Sequence, residues 1–242
     1  MHKKKGKDYI VFPLDFPSME AAASHVRLLD GHVGMFKIGL ELFISQGPSV
    51  VEQVRELTNA LIFLDLKLHD ISATVGRAMA RVAQLSVDLI TVHCASSARM
   101  LEAAVAGGGD KSGVLGVTLL TDNDAASVEA GGFKDAYVTS PMDLVLLRAK
   151  MAYAAGCAGV VCSGRETLAI KDAFGNDFLA VTPGIRPEWS LLANDDQKRV
   201  TTPAQAVQSG SDYIVIGRPI RDADDPVEAA QMVAAEIDRV LL

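Results

Sequence analysis

The chain has 242 residues, of which 49% are hydrophobic, and a formal net charge of −7. A single α/β barrel routinely fills this length as one domain, and the apolar content allows a large core. The acidic balance argues against broad nucleic-acid binding, although a local basic pocket can still hold a small anion. No apolar run approaches the roughly 20 residues that a membrane-spanning helix needs.

The start of the chain is rich in lysine, and no apolar segment follows it, so it does not resemble a secretory signal. We expect residues 1–8 to form a solvated, flexible tail before a single catalytic domain over residues 9–242. Cys94, Cys157 and Cys162 are odd in number and lack a metal-type pairing with histidine. They predict buried thiols in a reducing cytoplasm.

Short apolar runs alternate with helical patterns along the chain. The predicted strands are residues 10–15, 35–38, 61–67, 89–93, 113–118, 159–162, 179–182 and 213–216. The predicted helices are residues 18–29, 41–57, 73–84, 97–105, 141–155 after a broken segment, 166–173, one capped by Thr202, and 226–241. Eight strand–helix units with nearly continuous apolar strands predict a parallel sheet closed into a single (β/α)8 TIM barrel.

A doubly wound open sheet is the alternative architecture. It is weakened because no Gly-x-Gly-x-x-Gly pattern follows the first predicted strand. Pro13 lies inside that strand, where a closed barrel requires paired N–H groups. We therefore expect a bulge or a locally unpaired position at Pro13.

Polar side chains gather at the C-terminal ends of the predicted strands, where the chemistry of such barrels is located. They are Asp15, Lys37, Asp65, Lys67, His93, Thr118, Thr121, Thr182 and the pair Gly217 and Arg218. Strand alternation places Asp65 and Lys67 on one face, whereas Asp70 lies beyond the strand and can point into another subunit. Burying such charges is costly unless they pair, so this stretch predicts a functional site. We interpret His69 and His93 as packing residues and leave them out of the chemistry.

Two loops predict an anion site. Gly217 and Arg218 follow the eighth strand, and the loops after strands seven and eight frequently bind phosphate in barrels. An ordinary turn with a surface arginine is the alternative interpretation. The segment 182–199 is long for a βα loop, which is typical of a lid, and Arg186 and Gln197 are candidates to close over an anion. A solvated surface loop is the alternative there.

The pattern Asp65-x-Lys67-x-x-Asp70-Ile71 resembles the signature of the orotidine 5′-phosphate decarboxylase family. Further matching segments follow in order: Leu14-Asp15, Phe36-Lys37-Ile38-Gly39, Val117-Thr118-Leu119-Leu120-Thr121, Thr182-Pro183-Gly184-Ile185-Arg186, Asp196-Gln197-Lys198-Arg199 and Ile216-Gly217-Arg218-Pro219. The resemblance covers nearly the whole chain after its lysine-rich start. The chain departs from the family at Ser72-Ala73, where Pro-Asn is usual, and at Asp122, where Ser is frequent.

This resemblance implies the cofactor-independent decarboxylation of orotidine 5′-monophosphate to uridine 5′-monophosphate, the last step of de novo UMP biosynthesis. It implies a cytoplasmic homodimer that uses no metal. Lys67 would protonate C6 of the pyrimidine, and Asp65 would lie near the substrate carboxylate. Lys37, Asp65 and Lys67 would form a charge network with Asp70 of the partner subunit. The implied substrate contacts are Asp15, Lys37 and Thr74 of the partner subunit at the ribose, Thr121 at the base, and Arg186, Gln197, Gly217 and Arg218 at the phosphate.

Two other functions remain open at this point. A magnesium-dependent sugar-phosphate enzyme of the same superfamily, a ketogulonate-phosphate decarboxylase or a hexulose-phosphate synthase, resembles this chain at Asp65, Lys67 and Asp70. Such enzymes use a carboxylate where this chain has Lys37, and a lysine there repels a metal ion. The second alternative is a non-catalytic nucleotide-binding barrel, which the intact set of charged positions disfavours.

Overall fold

Eight parallel strands close into a barrel in the order β1-β2-β3-β4-β5-β6-β7-β8. The structure is a computed structural model that describes residues 4–190 and 201–241. The strands are β1 Ile10–Pro13, β2 Met35–Ile38, β3 Leu61–Leu68, β4 Leu89–His93, β5 Gly113–Val117, β6 Gly159–Val161, β7 Leu179–Thr182 and β8 Tyr213–Val215. The predicted TIM barrel is confirmed, and the open sheet is excluded because β1 pairs with β8.

Helices cover the outside of the barrel. They are α1 Met19–Leu29, α2 Leu40–Gln46, α3 Ser49–Arg55, α4 Ser72–Val82, α5 Ala98–Gly108, α6 Ala125–Ala130, α7 Asp135–Thr139, α8 Pro141–Ala154, α9 Thr167–Phe174, α10 Pro203–Gln208, α11 Arg218–Arg221 and α12 Pro226–Asp238. Short 3-10 turns occupy Gly6–Tyr9, Gly109–Lys111 and Glu188–Ser190. Within the described ranges, none of these helices is long and apolar enough to cross a membrane.

Local sequence signals explain where several helices begin and break. Ser18 caps α1, and Thr202 forms a capping box with Gln205 at α10, as predicted. The single helix predicted over residues 41–57 is wrong. It is divided into α2 and α3 because Gly47 adopts a φ of 70° after α2, and Pro48 cannot continue the helix.

The barrel interior is layered, and this layering positions the site. Six side chains form an apolar interior cluster: Val11, Met35, Phe63, Leu89, Leu115 and Val181. Because successive side chains in a strand alternate between faces, the inward-facing residues of the next layer lie two positions further along each strand. On β2, β3 and β4 those residues are Lys37, Asp65 and Thr91. On these three strands, polar residues therefore lie directly next to the apolar cluster.

Pro13 ends β1 and lies outside the pairing with β8. That pairing joins Ile10 to Ile214 and Val11 to Val215, so it stops two residues before Pro13. The predicted locally unpaired position is confirmed on the β8 side, whereas Pro13 pairs in register with Lys37 of β2. A Cβ atom at Gly217 would lie 2.9 Å from Pro13 Cγ, so the proline ring packs where Gly217 has no side chain.

Residues 4–8 differ from the flexible tail that the sequence predicted. Gly6 is buried, and its N–H donates to Asp238 Oδ1 at 2.7 Å. The Lys4 ammonium lies 3.9 Å from the centroids of both the Tyr9 and Tyr213 rings and donates to the Asp212 carbonyl oxygen. Cation–π contacts and burial thus attach this segment to the N-terminal end of the barrel, which the count of lysines did not indicate.

Substitution of Gly6 tests this attachment. A Cβ atom at Gly6 would lie 2.1 Å from the Ala234 carbonyl oxygen of α12. Gly6→Ala should therefore lower the free energy of unfolding by about 1–3 kcal/mol, as overpacking usually does. The exposed neighbour provides the control, since Lys5→Ala should change stability little. Urea unfolding measures both variants, and a neutral Gly6→Ala would mean that the segment is a free tail.

Candidate active site

The C-terminal ends of the strands surround a cavity of about 160 Å³. Lys37 of β2 and Asp65 and Lys67 of β3 line one side of it. Thr121, from the loop after β5, and Pro183, directly after β7, line the other. The predicted polar groups at the strand ends therefore form one charged side of the cavity, and the other side is largely apolar.

A single carboxylate joins the two lysines. Asp65 Oδ1 lies 2.8 Å from Lys67 Nζ, and Asp65 Oδ2 lies 3.4 Å from Lys37 Nζ. Lys37 Nζ also lies 3.3 Å from Asp15 Oδ1. The side chains of Lys37 and Asp65 are 10% and 13% exposed, whereas that of Lys67 is 28% exposed. The order Asp15–Lys37–Asp65–Lys67 is an alternating row of charges whose last ammonium has the best access to the cavity.

Burial raises the pKa of the Asp65 carboxyl, but the charges of Lys37 and Lys67 oppose that effect. Hydrogen bonds from Lys67 and Thr91 lower the pKa further, so that it lies below its ordinary value of 3.8. Asp65 is therefore ionised at neutral pH. Both ammonium groups have a fixed negative partner.

A bulge in β3 shapes the backbone that carries Lys67. The register with β4 shifts between Leu64 and Leu68, which pair with Ile90 and Val92. Lys67 has a φ of 51°, in the left-handed region that non-glycine residues seldom adopt. Asp65 and Lys67 share the cavity, as predicted, but regular strand alternation is not the whole reason.

The β4 residue Thr91 contacts both Asp65 and Lys67, which lie within this bulge. Its hydroxyl donates to Asp65 Oδ1 at 2.9 Å and accepts the Lys67 N–H at 2.9 Å. Thr91 was not predicted as a site residue. The available signal was a hydroxyl residue within the apolar run 89–92.

Gly39 permits the close approach of the first two charges in the row. A Cβ atom there would lie 3.0 Å from Asp15 Oδ1 and 3.2 Å from Lys37 Nζ. Any larger residue would press against both groups. The glycine at the end of the Phe36-Lys37-Ile38-Gly39 segment therefore has a steric reason.

The residues predicted to bind phosphate follow the adjacent strands β7 and β8. Arg186 is 5% exposed, its backbone N–H donates to the Thr201 carbonyl oxygen, and its Nη1 donates to the Ile185 carbonyl oxygen. Gly217 precedes α11, and Arg218, its first residue, is exposed. Gln197 lies outside the described residues.

Asp70 and Thr74 lie away from the cavity of their own chain. Asp70 is exposed and makes no ion pair with another described residue, and its Oδ1 accepts the Ile71 N–H. Ile71 is itself 71% exposed. Thr74, in the first turn of α4, is half-buried and accepts a hydrogen bond from Arg77. The departure Ser72-Ala73 forms the start of α4 without the usual proline.

The two histidines set aside in the sequence analysis lie beside the charge row. The ring centroids of His69 and His93 are 5.7 Å apart. Burial lowers the pKa of His93, and the neighbouring His69, Lys67 and Arg148 lower it further against the opposing charge of Asp65. Arg148 of α8 is itself buried and donates to the Thr118 carbonyl oxygen at 2.6 Å. Arg148 was not predicted as a site residue, because its position in the sequence gives no sign of this contact.

The low pKa of Asp65 predicts a specific pH dependence of stability. A carboxylate whose pKa is lower in the folded state stabilises the fold above its unfolded value of 3.8 and loses that effect as the pH falls through the folded value. Asp65→Asn should lower the free energy of unfolding at pH 7 by about 1–3 kcal/mol, less than for a fully buried pair because Lys67 is partly exposed.

The difference between wild type and Asp65→Asn should shrink as the pH falls below 3.8. Urea unfolding between about pH 3 and pH 7 measures it. Asp172→Asn, at an exposed position of α9, is the control and should show little difference at any pH. A deficit of Asp65→Asn that stays constant across the range would contradict the assignment.

Known proteins are similar to this chain in both sequence and fold. The orotidine 5′-phosphate decarboxylase / HUMPS family matches residues 8–233. The orotidine 5′-phosphate decarboxylase of Desulfosudis oleivorans is 48% identical over 236 residues, which cover 97% of this chain and 95% of the relative. That of Streptococcus pneumoniae is 43% identical over 227 residues, covering 93% and 95%.

Solved structures agree with these sequence relatives. The crystal structure of orotidine 5′-phosphate decarboxylase from Lactobacillus acidophilus is 32% identical in sequence, with a TM-score of 0.81 and coverage of 95% of this chain and 98% of that one. The corresponding protein of Pyrococcus horikoshii, at 22% identity, shares the fold with a TM-score of 0.74 over 94% and 98% of the two chains. The chain belongs to the orotidine 5′-phosphate decarboxylase / HUMPS family.

Proposed function

We propose that this chain is an orotidine 5′-phosphate decarboxylase, a carboxy-lyase that converts orotidine 5′-monophosphate to uridine 5′-monophosphate and carbon dioxide. Its place is then the step that forms UMP in pyrimidine biosynthesis. The observation that carries the proposal is the row Lys37–Asp65–Lys67 on the wall of the cavity. Family membership and relatives of that name at 48% and 43% identity support it.

The reaction explains why such a row is needed. The bond between C6 and the carboxylate breaks, carbon dioxide leaves, and the electron pair stays on C6 as an sp² carbanion with no adjacent carbonyl positioned to delocalise it. The protein must stabilise this charge electrostatically. An ammonium at about 4 Å contributes on the order of 4 kcal/mol at an effective dielectric near 20, so several fixed charges are required.

Lys67 is the proposed proton donor. Its Nζ–H proton passes to C6, and the neutral amine then recovers a proton from solvent. The 2.8 Å contact with Asp65 holds the ammonium in place, while 28% exposure leaves it accessible. Asp65 is proposed to lie near the substrate carboxylate, where its low pKa keeps it ionised.

The remaining site residues are proposed to bind the parts of the substrate that lie away from the reacting carbon. Asp15 and Lys37 contact the ribose hydroxyls, and Thr121 contacts the base. The phosphate is held by Arg186, Gly217, Arg218 and Gln197. Binding energy from the phosphate can drive closure of the site, which lowers the barrier of the chemical step.

Lys37 argues against the magnesium-dependent alternative. Its ammonium lies 3.3 Å from Asp15 and 3.4 Å from Asp65, so a cation of the protein itself already occupies the space between these carboxylates. A divalent ion there would meet that positive charge. We therefore propose that catalysis requires neither a metal ion nor an organic cofactor.

We further propose that the enzyme is a cytoplasmic homodimer with sites shared between subunits. Asp70 and Thr74 reach away from their own cavity, next to the exposed apolar Ile71. In the dimer, Asp70 of the partner subunit joins the charge row and Thr74 of the partner subunit contacts the ribose.

Burial raises the pKa of the Cys94 and Cys157 thiols to about 12, which fits unreactive cysteines in a reducing compartment.

Lys67→Ala separates binding from chemistry. Decarboxylation, followed by ultraviolet absorbance, should fall at least about 10³-fold because both the stabilising charge and the proton donor are lost. Calorimetry should still detect the binding of uridine 5′-monophosphate to this variant. Lys150→Ala, at an exposed position of α8, is the control and should retain wild-type turnover. Unchanged turnover in Lys67→Ala would contradict the mechanism, and loss of wild-type turnover in excess chelator would favour the metal-dependent alternative.

Mixed dimers test the shared site. Asp70→Ala and Lys67→Ala chains should each be nearly inactive alone. Hybrid dimers contain one cavity with both native residues, so mixing should restore about a quarter of the wild-type activity per chain if subunits exchange at random. Native mass spectrometry confirms hybrid formation. Hybrids that form without recovering activity would contradict a shared site.

A further inference from the structure

Thr91 is a fully buried hydroxyl residue that contacts Asp65 and Lys67 of the charge row. It is 0% exposed and follows Leu89 by two positions in β4, which places it in the same interior layer as Lys37 and Asp65. The other residues of the run 89–92 are apolar. A buried hydroxyl is costly unless its hydrogen bonds are made, and here both contacts are to the residues that carry the chemistry.

The bulge in β3 creates a need that this hydroxyl fills. The register with β4 shifts between Leu64 and Leu68, and Lys67 has a φ of 51°. A non-glycine residue in this region costs on the order of 1 kcal/mol or more and persists only where its surroundings hold it. The Lys67 N–H donates to Thr91 Oγ1 at 2.9 Å. This contact satisfies a backbone donor at the point where the ladder is interrupted.

The direction of the two hydrogen bonds is determined by chemistry. The Lys67 N–H only donates, and the ionised Asp65 carboxylate only accepts. The bridging group must therefore accept from one and donate to the other. A threonine or serine hydroxyl does both, whereas a valine of nearly the same shape does neither.

We propose that Thr91 is a positioning residue for the decarboxylation, and this inference rests on the function proposed above. Its hydroxyl ties the backbone of Lys67 to the carboxylate of Asp65, so that the 2.8 Å Lys67–Asp65 pair is held in one geometry. Without it, the Lys67 peptide relaxes towards ordinary strand dihedrals and the ammonium moves relative to the reacting carbon. Displacements of about 1 Å can cost about 10²-fold in rate.

The same arrangement occurs at the opposite end of the barrel and provides a matched control. Thr58, just before β3, is 5% exposed. Its hydroxyl donates to Asp30 Oδ1 at 2.5 Å and accepts the Ala60 N–H at 3.0 Å. Thr58→Val removes a bridge of the same kind, remote from the charge row.

The test compares Thr91→Val, Thr91→Ser and Thr58→Val in the full chain. Thr91→Val should lower kcat for orotidine 5′-monophosphate by about 10- to 100-fold, with KM changed by less than about threefold. Thr91→Ser should stay within about threefold of wild type in both, and Thr58→Val should keep wild-type kcat. Thermal unfolding measures the stability of Thr91→Val and Thr58→Val. If both lose a similar amount of stability and only Thr91→Val loses kcat, destabilisation is not the cause of the kinetic change.

Backbone amide exchange of Lys67 supplies a readout that does not depend on turnover. Thr91→Val should exchange this hydrogen at least about 10-fold faster than wild type, and Thr91→Ser should not. If Thr91→Val does not fold, Thr91→Ala takes its place in both measurements.

The inference is overturned if Thr91→Val retains wild-type kcat, if folded Thr91→Ser loses as much activity as Thr91→Val, or if the Lys67 amide exchange is unchanged. An inactive wild-type chain would instead overturn the proposed function. Lys67 amide exchange would still decide whether Thr91 holds that residue.

Discussion

The Asp65 carboxylate between two ammonium groups is the interaction on which the rest of the site depends. Its side chain is only 13% exposed, and burial alone would favour its neutral form. Lys37 and Lys67 reverse that preference, and Asp65 in turn makes their proximity tolerable. The ionised form of Asp65 at this depth therefore depends on both lysines. The closed barrel brings them together, since Lys37 and Asp65 arrive on neighbouring strands and Lys67 arrives through the bulge.

Two lysine–aspartate pairs in this fold show how the surroundings of a structural lysine differ from those of the proposed proton donor. At the N-terminal end of the barrel, Lys171 Nζ lies 2.6 Å from Asp212 Oδ2 and also donates to the carbonyl oxygens of Asn176 and Phe178. Its three donors are satisfied by groups of the fold, and its side chain is 7% exposed. Lys67 has Asp65 as its ion-pair partner at 2.8 Å and is 28% exposed beside a cavity. Proton transfer needs a donor with this access.

Periodicity and spacing predicted most of the architecture. The alternation of apolar runs and helical patterns predicted all eight strands, and the strands over residues 35–38, 89–93 and 179–182 have the predicted bounds. Helix α11 was not predicted because Arg218–Arg221 is too short to show a helical period. The attachment of residues 4–8 was also missed, since it depends on Tyr213, more than 200 positions away in the sequence.

The sequence by itself determined the barrel and the identity of the charged residues, because strand alternation and motif spacing are local properties of the chain. It placed Asp65 and Lys67 on one side of a strand and Asp70 beyond its end. Only the tertiary structure decided that Lys37 and Lys67 share one carboxylate. It also decided that β3 carries a bulge with Lys67 at a φ of 51°, and that Thr91 bridges Asp65 and Lys67. Register and cross-strand contacts depend on how β2, β3 and β4 lie side by side, and no single segment encodes that.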